Sequence, residues 1–118
     1  MHRITKRSLA TILAVSLLVV SFGAPDRAAV VQRVRIELAT ILKKEAAKLP
    51  DDKPVVELGA DELDVVEWVM AVEDAFRIRI TDEQVVDPKT KKVRTDFSIL
   101  SMAAIVISAP QSSGGKKQ

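Results

Sequence analysis

Cysteine and tyrosine are absent from this 118-residue chain, histidine occurs once, as His2, and aromatic residues make up only 3% of it. Without cysteine there is no disulfide framework, no thiolate nucleophile and no thiolate metal ligand. With its single histidine at the second residue, the rest of the chain cannot build a His/Cys zinc site or a Ser-His-Asp triad. An Asp-x-Asp-x-Asp-Gly calcium loop is missing as well, so no metal is expected. Nothing in the sequence sets two carboxylates across a pocket as an acid/base pair, and a non-catalytic protein is expected. There is no internal repeat and no convincing strand. What remains is a single small domain with tails, large enough to bury one core.

The amino terminus has the layout of an export leader. His2 to Ser8 contains Arg3, Lys6 and Arg7, Leu9 to Phe22 is apolar, and Ser21 and Gly23 put small residues at the two positions that define a cut after Gly23. Residues 1–23 therefore read as a signal peptide for a periplasmic or secreted protein. Left uncut, residues 9–22 would act as a membrane anchor, although about 14 residues is short of the ~20 that a spanning helix needs. The formal net charge is +2, but the leader holds three bases and no acids, which leaves residues 24–118 with 15 bases against 16 acids. That near-balance hides a block pattern. Residues 51–74 carry nine acids against Lys53 alone, whereas 27–48 carry six bases against two acids. An acidic block repels nucleic acid and attracts basic protein surfaces, and no nucleic-acid-binding motif is present.

Four helices of unequal length are expected, making a small all-α bundle over residues 27–108, followed by a flexible tail over 109–118. Asp26 is placed to cap a first helix running to about Lys48, with Val31, Val34, Leu38, Ile41, Leu42 and Ala46 at three- and four-residue steps. Leu49 to Pro54 breaks it, and Val55, Val56 and Leu58 in the following loop cover the core edge. Gly59 frees the backbone and Asp61 caps a second helix that ends near Phe76. At 100° per residue, Val65, Trp68, Val69, Val72 and Phe76 share its core arc, Asp64, Glu67, Ala71 and Asp74 the opposite arc, and Leu63, Val66 and Met70 the boundary. Thr81 caps a short third helix over Asp82 to Val86, and Lys89 to Lys92 form a solvated turn. Thr95 or Asp96 caps the last helix, with Phe97, Leu100, Ala104 and Ile105 facing inward. Arg77 and Arg79 are expected to pair with Glu73, Asp74 or Asp82.

Residues 57 to 84, ELGADELDVVEWVMAVEDAFRIRITDEQ, resemble the centre of the acyl carrier protein family. There a Gly-x-Asp-Ser-Leu turn opens a helix whose serine carries phosphopantetheine. Here the run is Gly59-Ala60-Asp61-Glu62-Leu63, and Val66, Glu67, Met70, Glu73 and Phe76 continue the match. The resemblance implies a four-helix carrier fold and a partner-docking second helix. Glu62 takes the serine's place, and a carboxylate forms no phosphodiester, so the expectation is a carrier-like module with no phosphopantetheine and no other cofactor. A carboxylate in a helix's first turn is favoured by ~0.3 to 1 kcal/mol by the helix dipole, and it also supplies a permanent anion near the place of the family's phosphate. The expected partner-binding residues are Asp61, Glu62, Leu63, Asp64, Val66, Glu67, Met70, Glu73 and Asp74, facing a protein with a basic surface. The alternatives are an acyl carrier of fatty-acid or polyketide metabolism and a non-covalent binder of acyl chains.

Overall fold

The computed structural model describes residues 26–110; the leader and the end of the tail fall outside the described residues. The first helix, α1, spans Arg27–Leu42 and buries Val30, Val31, Val34, Leu38 and Ala39 along one stripe. Asp26 stands at its N-cap without a side-chain capping bond. The helix stops six residues before the expected end at Lys48, because Lys43 turns into the left-handed region at φ 59°. The Lys43 and Lys44 N–H groups close the last turn on the Thr40 and Ala39 carbonyls. After a 3-10 turn at Ala46–Lys48, Leu49 is buried.

A second 3-10 turn, Val55–Leu58, ends at Gly59, whose φ of 102° is the left-handed conformation that glycine adopts without strain. A β-carbon there would also meet the Lys44 Nζ at 3.3 Å. The next helix, α2, spans Glu62–Phe76. Its start is fixed by a reciprocal capping box: the Asp64 N–H donates to Asp61 Oδ1 at 2.8 Å, and the Asp61 N–H donates to Asp64 Oδ2 at 3.0 Å. Val65, Trp68 and Val72 are buried on its inner face, with Val69 and Phe76 half-buried beside them. Trp68 is the largest fully buried side chain; its Nε1–H donates to the Val34 carbonyl at 3.0 Å, and its ring meets Phe97 edge-on at 5.9 Å.

A single-turn helix, α3, covers Asp82–Val85 with Thr81 and Gln84 capping each other. The segment after it folds back as a small hairpin. Val86 bridges Val93, the Asp87 N–H donates to the Lys92 carbonyl at 2.8 Å, and Arg94 reaches back to the Val85 and Glu83 carbonyls. The last helix, α4, spans Ile99–Ser108 and starts later than expected. Ser98 caps it, in a reciprocal box with Ser101, in place of Thr95 or Asp96. Its inward face is accordingly Ile99, Met102, Ala103 and Val106; Ala104 is exposed, and Phe97 is buried ahead of the helix.

These pieces make a four-helix, all-α bundle with α1 packed against both α2 and α4. Lys44 Nζ donates to the Leu58 carbonyl, Val55 N–H to Phe97 and Leu100 N–H to Asp51. The end of α1 and the starts of α2 and α4 therefore share one pole of the bundle. Glu62 stands at that pole.

Candidate functional site

On α2 the side chains that the core does not use form a stripe. Leu63, Val66 and Met70 are 65%, 53% and 61% exposed, more open than a boundary position implies, and their spacing of three and four residues aligns them along one face. Exposed single apolar residues are ordinary, but three in a row beside carboxylates form a patch. Glu62, Glu67 and Asp74 are exposed around it.

The other acids expected here are engaged in the fold. Asp61 and Asp64 cap each other. Glu73 is half-buried, and its Oε2 accepts the Ile80 backbone N–H at 2.8 Å, which ties the loop after α2 back onto the helix. The expected pairing of Arg77 and Arg79 does not form. Among the described residues the ion pairs are Arg33–Glu37, Arg35–Asp51 and Lys48–Glu45. Arg77 is instead the left-handed cap of α2 at φ 56°, and its backbone N–H donates to the Glu73 carbonyl.

Two recesses flank the stripe. One, of about 240 Å³, lies between α2 and α3 and is lined by Val66, Val69, Met70, Glu73, Ile80, Thr81, Asp82, Val85 and Val86. The other, of about 430 Å³, lies at the start of α2, where Val56, Ala60, Asp61 and Glu62 face Thr90, Lys92, Val93 and Thr95 of the hairpin segment. Residues 90–95 carried no local signal for this role. They reach Glu62 only through the fold-back at Val86 and Val93. Val56, expected to cover the core edge, is instead 46% exposed in that hollow, while its neighbour Val55 is buried.

A family model described as the phosphopantetheine attachment site matches residues 32–90. The acyl carrier protein of Helicobacter pylori strain J99 is 44% identical over 57 residues, which cover 48% of this chain and 73% of that protein. The acyl carrier protein of Syntrophobacter fumaroxidans is 46% identical over 55 residues, covering 47% of this chain and 68% of that protein. These matches correct the expectation that the chain has no cofactor: the prosthetic group to which both the family model and the relatives point is phosphopantetheine. The side chain of Glu62, at the first helical residue of α2, does not fit as the anchor of that group, because a carboxylate oxygen bonded to phosphorus is a mixed anhydride and not a phosphodiester. From the helical bundle, the capped turn into α2 and the match over residues 32–90, the chain belongs to the acyl carrier protein family.

Proposed function

We propose that this carrier domain works as an exported interaction module, docking through α2 on a protein with a basic surface. The observation that carries the reading is the exposed stripe Leu63, Val66 and Met70 with Glu62, Glu67 and Asp74 around it. Apolar contact supplies the association and the carboxylates supply orientation and rate. Asp61, Asp64 and Glu73 hold the surface in shape and contribute charge from fixed positions. The test is charge reversal at Glu67 and Asp74 together, with the partner captured from the envelope fraction of the native organism. Affinity should fall and its salt dependence should flatten, while stability should change by no more than about 0.5 kcal/mol. Unchanged affinity would refute the docking role. Export is checked separately, by N-terminal sequencing of the periplasmic fraction, where the mature chain should begin near Ala24.

A second reading, an acyl carrier in fatty-acid or polyketide metabolism, is favoured by the names of the relatives and by the apolar recess between α2 and α3. A metabolic carrier would stay in the fraction that holds the synthases. Recovery of the native protein there, with Met1 or His2 at its N-terminus, would select this reading over the first.

A further inference from the structure

The hollow between the start of α2 and the hairpin segment is lined by apolar and charged side chains together. Val56, Ala60 and Val93 supply the apolar lining, Thr90 and Thr95 add hydroxyl-bearing side chains, and Asp61, Glu62 and Lys92 supply the charges. Asp61 is committed to the capping box. Glu62 makes no ion pair among the described residues, although Lys92 lines the same hollow. At about 430 Å³ the space is ample for one long side chain and lies at the low end for a small-molecule site.

We propose that this hollow receives an arginine side chain of the docking partner, with its methylene stem on Val56, Ala60 and Val93 and its guanidinium paired with the Glu62 carboxylate. The inference rests on the docking reading and names the contact by which the partner's register is set. The chemistry selects arginine over lysine. A guanidinium is planar, weakly hydrated and forks onto a carboxylate through two parallel N–H donors, and a side chain that buries an apolar stem while keeping its charge in water suits a hollow lined by apolar side chains and an exposed carboxylate. Two carboxylates against one ammonium leave the hollow acidic, so an entering cation gains from the field and an entering anion does not. Glu62 thereby has a use that a neutral hydroxyl would not serve. Arginine is also a residue type enriched among the anchors of protein interfaces.

The test uses the ¹⁵N-labelled domain titrated with a short blocked peptide bearing one arginine between two leucines, and with a twin in which citrulline replaces the arginine. Citrulline keeps the stem and the planar head and removes the charge. The arginine peptide should shift the amides of Glu62, Thr90, Val93 and Thr95 saturably, and the citrulline twin should bind more weakly. Glu62→Gln should weaken the arginine peptide by about fivefold, the effect of one well-formed exposed pair, and should leave the citrulline twin unchanged. Shifts confined to Leu63, Val66 and Met70, equal for both peptides, would overturn the arginine pocket and leave the docking reading intact. No shift on either surface would overturn both.

Discussion

Replacement of Trp68 separates what holds the bundle together from what it presents. The indole is fully buried, donates to the Val34 carbonyl of α1 and stands edge-on to Phe97 just ahead of α4, so one side chain joins three parts of the fold. Trp68→Ala removes all three contacts and leaves a cavity, at a cost of about 3 to 5 kcal/mol. A domain of this size has roughly 4 to 13 kcal/mol in total, so the loss takes between about a quarter and the whole of it. Trp68→Phe keeps most of the apolar contact and loses the N–H donor. The Val34 carbonyl lies within α1 and keeps its helical donor, so this change should cost about 1 to 2.5 kcal/mol. With a urea slope near 1 kcal/mol/M, the midpoint of Trp68→Phe should fall by about 1 to 2.5 M with the slope unchanged. Circular dichroism at 222 nm is the readout, since the chain has no second tryptophan. A Trp68→Ala protein that loses less than about 1 kcal/mol would refute the argument from cavity cost. A Trp68→Phe protein as damaged as Trp68→Ala would show that the hydrogen bond, not the packing, carries the effect.

The capping boxes should be worth about 1 kcal/mol each, so Asp61→Ala and Ser98→Ala should both lower the urea midpoint; Ser98→Ala should be the costlier, because Ser98 is buried and its loss leaves the Ser101 backbone N–H without its acceptor. Glu62→Ser places a hydroxyl at the first residue of α2, and incubation with coenzyme A and a broad-specificity phosphopantetheinyl transferase should add one phosphopantetheine, mapped by peptide mass to residue 62. No addition there would show that the fold has not kept the surface on which the transferase docks. Glu73→Ala should cost about 1 to 2 kcal/mol by freeing the Ile80 N–H, and hydrogen exchange at Ile80 should rise with it.

The second helix was legible because every signal for it is local. Gly59 for the turn, Asp61 for the cap and the 100° spacing of Val65, Trp68 and Val72 lie within 14 residues of one another, and each means the same thing in any context. The C-terminal end of α1 and the start of α4 were not legible, for two different reasons. Past Lys43 the apolar periodicity runs on through Ala46, and no glycine marks the stop; what ends the helix is a lysine in the left-handed region whose neighbour Lys44 reaches across to Leu58. At α4 the cap is a serine answered by a second serine three residues on, a weaker mark than Thr95 or Asp96 with their adjacent position in an extended loop. Counting Phe97 into the helix set the expected inner face on Phe97, Leu100, Ala104 and Ile105, whereas the buried face of the helix is Ile99, Met102, Ala103 and Val106, with Leu100 and Ile105 half-buried beside it and Ala104 exposed. The exposed strip on α2 followed from the same wheel as its core. The hollow beside Glu62 did not, since it is made by residues 56 and 93, which only the folded chain brings together.

The antiparallel course of α1 and α2 fixes where the protein can be held. The end of α1 meets the beginning of α2 at the pole that carries Glu62, and α4 starts there too, so residues 26 and 110 both stand at the far pole. With 16 residues at 1.5 Å each, α1 alone sets the two poles about 24 Å apart. A support attached directly at residue 26 or residue 110 would lie at the far pole and leave the Glu62 end clear of it.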